Sequence, residues 1–68
     1  MELTINGEKQ TIRDVETLDA LLTHLSVGQE AKGVAVAING TVIPRGDWPS
    51  TRLNAGDEIE VIHAVQGG

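Results

Sequence analysis

The sequence predicts an α+β fold in which one amphipathic helix packs on one face of a mixed β-sheet. Two Asn-Gly pairs, Asn6-Gly7 and Asn39-Gly40, each stand between short β-like segments. Each pair supplies the two residues with positive φ that a type I′ hairpin turn requires. Between the pairs, four leucines recur at i, i+3, i+4 and i+7, the spacing of one helical face: Leu18, Leu21, Leu22 and Leu25. In so short a chain, only one face of the sheet can bury this stripe.

The first half of the chain begins with a strand from Met1 to Ile5, where apolar and polar residues alternate. Its return strand, Glu8 to Arg13, is polar except for Ile12, which is typical of an edge strand. Thr17 is expected to cap the helix. Gly28 is expected to end the helix or to begin a polar loop that reaches residue 33.

The second half contains the more apolar strands. Val34 to Ile38 is apolar throughout, as in a strand buried on both faces. After the second hairpin turn, Thr41 to Ile43 forms a return strand that ends at Pro44. Residues 45–51 are expected to be irregular or a short helical turn, with Trp48 closing one end of the core. A turn at residues 54–57 leads into the last strand, residues 58–65.

This order of elements (hairpin, helix, hairpin, short crossing, final strand) is the β-grasp arrangement. The first and last strands both carry apolar residues at alternate positions, so they are expected to lie parallel in the interior of the sheet. The domain is expected to cover residues 1–65, with a flexible C-terminal tail at residues 66–68.

The composition limits the kinds of site and partner that the chain can have. With 68 residues, no Phe or Tyr and one Trp, the chain can build only a thin aliphatic core, so a buried small-molecule pocket is not expected. The absence of cysteine excludes a disulfide framework and a thiolate zinc site. A net charge of −5 disfavours nucleic acid and anionic membranes and favours a basic partner. Without a signal peptide or a long apolar run, the chain is expected to be cytoplasmic.

The side chains that could carry chemistry form no strong motif. Ser26 or Ser50 could be combined with His24 or His63 and an acid, but no glycine-framed nucleophile turn surrounds either serine. Two histidines without cysteine are a weak metal signal, and no metal site is expected. The Arg-Gly-Asp tripeptide at residues 45–47 is interpreted as part of a turn.

The C-terminal residues carry the clearest functional signal. Gly67 and Gly68 have no side chains, so the main chain there can lie extended in a channel too narrow for any Cβ. A strand directly before them would aim the carboxylate of Gly68 outward. If Ile59 and Val61 point into the core, the other face of that strand carries an apolar patch with an acidic margin, made of Ile62, Ala64, Glu58 and Glu60. Such a surface predicts protein binding.

Three stretches resemble the ThiS family, the sulfur carriers of thiamine biosynthesis: residues 38–48 (INGTVIPRGDW), 56–62 (GDEIEVI) and 64–68 (AVQGG). The resemblance covers the whole chain and implies a ubiquitin-like β-grasp carrier rather than an enzyme. It also implies that an E1-like enzyme uses ATP to adenylate the Gly68 carboxylate. A sulfur donor such as a cysteine desulfurase would convert that carboxylate to a thiocarboxylate, and thiazole synthase would take the sulfur. Val65, Gln66 and Gly67 would contact these partners together with the patch, and no cofactor would be bound permanently.

Two alternatives share much of this pattern. The small subunit of molybdopterin synthase has the same fold and tail, but it usually runs longer and carries aromatic residues in its last strands. The second alternative is a ubiquitin-like modifier that forms an isopeptide bond, or a non-covalent β-grasp adaptor.

Overall fold

The computed structural model describes residues 1–27 and 33–63, and these residues form one five-stranded sheet with a short α-helix. The strands are β1 (Glu2–Ile5), β2 (Glu8–Thr11), β3 (Val34–Ile38), β4 (Thr41–Ile43) and β5 (Glu58–His63). The α-helix α1 spans Leu18–His24, and a 3₁₀ helix spans Arg45–Ser50. α1 ends at His24 with Leu25 at its C-cap, so the prediction that Gly28 ends the helix is wrong. Gly28 itself, and most of the predicted loop after it, lie outside the described residues.

The strand order is β2-β1-β5-β3-β4, which places β5 at the centre of the sheet. β1 runs parallel to β5, with Thr4 opposite Glu58 and Ile5 opposite Ile59, whereas β3 runs antiparallel to β5. The predicted parallel pairing of the first and last strands is confirmed. β2 is an edge strand, also as predicted.

Both Asn-Gly pairs form the predicted hairpin turns. The φ angles are 50° and 83° at Asn6 and Gly7, and 50° and 85° at Asn39 and Gly40. These left-handed values are those of a type I′ turn, whose twist matches that of the flanking antiparallel strands. β2 ends at Thr11 rather than at Arg13, although Ile12 still exchanges hydrogen bonds with Met1 at 2.8 and 2.7 Å and is buried on the core side, as the alternation of the strand requires.

The leucine stripe is the centre of the core. Leu18, Leu21 and Leu22 are fully buried, and Leu25 packs against them from a partly buried position. They meet the core side chains of the sheet, which include Leu3, Ile5, Val36, Ile59 and Val61. The prediction that this helical face covers the sheet is confirmed.

The predicted role of Thr17 is wrong in one respect. Thr17 occupies the N-cap position of α1, but its side chain does not accept a hydrogen bond from the helix backbone. Its hydroxyl instead donates to the carboxylate of Asp19 at 2.6 Å, since an ionised acceptor makes the stronger bond. The backbone N–H of Leu18, the first residue of α1, donates to the carbonyl of Thr51 at 2.9 Å, so a tertiary contact satisfies one of the N–H groups at the start of the helix.

β3 is buried on both faces only in part. Val34 and Val36 are buried towards α1; on the opposite face Ala37 is 6% exposed, whereas Ala35 is open to solvent. The reason is architectural: one helix covers only one face of a sheet. On the open face, alanine is small enough that little apolar surface meets water.

Trp48 closes one end of the core as predicted. It is 2% exposed, and its indole Nε1–H donates to the carbonyl of Ile43 at 2.9 Å. The guanidinium of Arg45 lies 4.9 Å from the centre of the ring, within cation–π range. Among the described helices, none has the length and apolar character needed to cross a membrane.

Candidate functional site

The sheet face opposite α1 is the candidate functional surface. Residues that stand opposite each other in adjacent strands share a face, so the register defines this surface. Ala35 lies opposite Ile62, and Ala37 lies between Glu60 and Val42. We call the apolar part of this surface the open-face patch; it consists of Val42, Ala35 and Ile62, together with Ala37, which is itself buried among them.

The exposed side chains of the open-face patch are large enough to matter for binding. Ile62 keeps 50% of its surface exposed and Val42 keeps 64%. Along β5, Ile59 and Val61 are buried at 1% and 8%, so the alternation of the strand points Ile62 outward. The prediction that Ile62 faces away from the core is confirmed. Together with Ala35 between their strands, these side chains make this face a candidate surface for a partner.

The sequence analysis missed Val42 and the two alanines of β3. The signal that identifies them is the two-residue turn at Asn39-Gly40, since a turn of that length fixes the register of its hairpin. Counting back from the turn places Ala37 opposite Val42. Val42 therefore belongs to the same face as Ile62, separated from it by β3.

The acidic margin lies beside the patch as predicted. Glu58 and Glu60 are exposed on the open face of β5. Their Cα atoms are about 6.6 Å apart, the length of two residues of strand. They border a surface groove of about 440 Å³ that is also lined by Thr4, Asn6, Gly7 and Ile59. Two carboxylates on one strand face repel each other, so this margin favours a partner that brings basic side chains.

Both hairpin turns hold β5 in place. At the start of the strand, the Glu58 N–H donates to Asn39 Oδ1 at 3.0 Å, and the Asn39 N–H donates to the Glu58 carbonyl at 2.8 Å. Further along, the Asn6 N–H donates to the Ile59 carbonyl at 2.9 Å, and the Val61 N–H donates to Asn6 Oδ1 at 2.8 Å. The central strand is therefore anchored by side chains from both neighbouring turns.

Asp57 fixes the turn that leads into β5. It is 9% exposed, and its carboxylate accepts from the Asn54 N–H at 2.8 Å and from Asn39 Nδ2 at 3.1 Å. These bonds satisfy the buried carboxylate and make its role structural.

The residues considered for catalysis have other positions or partners. The Ser50 hydroxyl donates to the Asp47 carbonyl at 3.1 Å, within the 3₁₀ helix. His24 and His63 are exposed at the ends of α1 and β5. The structure gives the hypothetical triad no support, and Arg45 stacks on Trp48 as part of a local turn.

The remaining predicted site residues are Ala64, Val65, Gln66, Gly67 and Gly68, which lie outside the described residues. Their roles, and the boundary of the tail at residue 66, stay predictions. The described part of β5 ends at His63, one residue before this segment.

A mixed five-stranded sheet with one covering helix and an open face beside its last strand defines a protein of the ubiquitin-like β-grasp class. The ThiS family model matches residues 1–68, and the chain belongs to that family. The crystal structure of a thiamine biosynthesis protein (ThiS) from Geobacter metallireducens is 34% identical and superposes with a TM-score of 0.83, and the match covers 100% of both chains.

Two curated relatives extend the comparison. The sulfur carrier protein ThiS of Escherichia coli K12 is 29% identical over 68 residues, which cover 100% of both chains. The thiazole synthase of Paramagnetospirillum magneticum is 34% identical over 68 residues. The chain spans only 20% of the length of that thiazole synthase.

Proposed function

We propose that this chain is the sulfur carrier of thiamine biosynthesis and that the carboxylate of Gly68 carries the sulfur. The observation that supports this most strongly is the match of the ThiS family model to residues 1–68, a span that includes the terminal Gly67 and Gly68. In this role the chain is a co-substrate of other enzymes and performs no catalysis itself. The match favours this function over the molybdopterin and modifier alternatives.

Sulfur transfer requires activation of the Gly68 carboxylate, because a carboxylate is a poor electrophile. An E1-like enzyme binds ATP, and the Gly68 carboxylate attacks the α-phosphorus to form an acyl adenylate with release of pyrophosphate. The terminal sulfur of a persulfide, such as that of a cysteine desulfurase, then displaces AMP. A second thiol cleaves the resulting S–S bond by exchange, which leaves a thiocarboxylate on Gly68 and a disulfide on the donor. The chain has no cysteine, so no internal thiol competes for the activated acyl group.

The open-face patch and its acidic margin provide the docking surface for these partners. Ile62 and Val42 present apolar contact area, and Glu58 and Glu60 favour a partner with a basic rim. In the proposed complexes Ala64 adds to the contact area, and Val65, Gln66 and Gly67 enter the partner's channel. The two partners are the activating enzyme and thiazole synthase.

The relationship to thiazole synthase supports that second partner. In the Paramagnetospirillum magneticum protein, a segment similar to this chain is part of the same polypeptide that is named thiazole synthase. A carrier that hands sulfur to this enzyme must dock on it, and covalent linkage raises the effective concentration of such a pair. ATP is used by the activating enzyme, and the carrier works in the cytoplasm, where ATP is available.

Genetic complementation separates this function from the closest alternative. A bacterial strain without its own thiamine sulfur carrier should grow without added thiamine when it expresses this chain, but not when it expresses the chain lacking Gly68. A strain that lacks the small subunit of molybdopterin synthase serves as the matched test. Rescue of that strain alone would contradict the proposal and favour the molybdopterin pathway.

A further inference from the structure

β5 extends beyond the strand that supports it on one side. β1 ends at Ile5, which lies opposite Ile59, and the chain then turns away at Asn6. On its other side β5 stays paired with β3 as far as His63, which lies opposite Val34. The segment from Val61 to His63 therefore has a neighbouring strand on the β3 side, while β1 has already turned away on the other.

One side chain extends the β1 side of the ladder past this point. Main-chain bonds run from the Thr4 N–H to the Asp57 carbonyl at 3.0 Å and from the Asn6 N–H to the Ile59 carbonyl at 2.9 Å. The next β5 group on that side, the Val61 N–H, donates at 2.8 Å to the side-chain oxygen of Asn6. A backbone N–H can only donate, so the accepting amide atom is the oxygen. The side-chain oxygen of Asn6 thus takes the place of the main-chain carbonyl that β1 would offer to Val61 if it continued.

We propose that Asn6 is a positioning residue for sulfur loading, a role that rests on the proposed function. Its side-chain oxygen holds β5 against the sheet at Val61, one residue before Ile62 of the open-face patch. Val61 is therefore held from both sides before any partner is bound. Without this bond, the strand pairing among the described residues holds Val61 to His63 on the β3 side alone, and a partner must order them on binding.

The turn itself does not require this side chain. Glycine adopts positive φ at no steric cost, and Gly-Gly is an accepted type I′ pair. Asn6→Gly therefore keeps the hairpin and removes the acceptor. Asn39→Gly is the control at the other turn, because Asn39 occupies the same position of the same turn type. Its side chain bonds the Glu58 N–H and the Asp57 carboxylate, both at the start of β5 and away from Val61, so its loss costs at least as much stability.

If Asn6 positions β5, its loss should raise the KM of the carrier in the sulfur-loading reaction with little change in kcat. The cost of ordering the end of β5 falls on binding, whereas the bound tail is held by the partner's channel in both forms. The loss of one hydrogen bond of ordinary strength corresponds to roughly a 2- to 13-fold rise in KM for the carrier. Asn6→Asp retains an oxygen acceptor and tolerates positive φ, so it should restore the slow exchange of the Val61 amide. Because its charge adds to the acidic margin, its KM is compared with that of the parent at about 0.5 M salt, where it should lie within about twofold.

The experiment measures sulfur loading of the full chain by the activating enzyme with ATP and a sulfur donor, over a range of carrier concentrations. Hydrogen exchange of the Val61 amide, relative to that of Val36 in the core, reports the state of the bond independently of activity. We expect Asn6→Gly to raise both KM and the relative exchange rate of Val61. We expect Asn39→Gly to leave both near the parent values, even if it lowers the unfolding temperature.

The outcomes separate the positioning role of Asn6 from the proposed carrier function. If the parent is loaded with sulfur but Asn6→Gly has the parent's KM, or Asn39→Gly shows the same rise, the positioning role of Asn6 is refuted while the carrier function stands. If the parent takes up no sulfur, the proposed function fails and the positioning role fails with it.

Discussion

Replacement of Ile62 by lysine should weaken partner binding without unfolding the domain. Full burial of an isoleucine side chain contributes about 1.5 to 3 kcal/mol. Since Ile62 is 50% exposed in the free chain, a partner can gain about half of this, or roughly 0.8 to 1.5 kcal/mol. Loss of that contact alone raises Kd by about 4- to 13-fold. Lysine also places a positive charge where the acidic margin favours a basic partner, so the total effect should reach at least the upper end of that range.

The stability cost of the same substitution is modest. The buried half of Ile62 contributes to folding by a similar amount, and the lysine stem retains part of its packing. A loss near 1 kcal/mol leaves a domain of typical stability folded. Thr23→Lys is the matched control, because it adds the same charge at an exposed position of α1. Titration calorimetry against the activating enzyme should show weaker binding for the Ile62 variant only. Equal affinities of the two variants would refute the assignment of the patch as the interface.

Three further perturbations test other parts of the account. Leu22→Ala should lower the free energy of unfolding by about 2 to 5 kcal/mol because Leu22 is fully buried, whereas Leu25→Ala should lower it by about 1 to 2 kcal/mol because Leu25 is partly buried. Urea titration measures both losses, and equal losses would contradict the described core. Reversal of charge at both Glu58 and Glu60 should slow association with a basic partner by roughly tenfold at low salt, and an effect that persists unchanged at about 0.5 M salt would argue against electrostatic attraction. Gly67→Val should leave circular dichroism unchanged and reduce sulfur loading by more than about 100-fold, because a branched side chain meets the channel wall; loading at the parent rate would exclude a narrow channel.

Most of the fold could be predicted because the local sequence patterns favour the same elements that the tertiary packing requires. The Asn-Gly turns, the leucine stripe and the alternation in β5 each pointed to the element that is observed. Where the sequence misled, tertiary contacts decided the outcome. Thr17 had the chemistry of a cap, but its hydroxyl donates a hydrogen bond to the nearby carboxylate of Asp19. The apolar run of β3 suggested two buried faces, but with a single helix only the face towards α1 is fully covered.

The candidate site was predicted in part for the same reason. The orientation of Ile62 and the two glutamates followed from the period of a single strand. The contribution of Val42 required the register between two strands, which the sequence analysis did not follow. The bond between Asn6 and Val61 joins residues 55 positions apart, and only the three-dimensional arrangement reveals it.

The central claim is that the carboxylate of Gly68 carries sulfur, and intact-protein mass spectrometry tests it most directly. The chain is incubated with the activating enzyme, ATP and a sulfur donor, and a sample without ATP serves as the control. The account predicts a mass gain equal to one sulfur replacing one oxygen, located at Gly68 by fragmentation and absent without ATP. An unchanged mass with active partners, or sulfur located at any other residue, would contradict it.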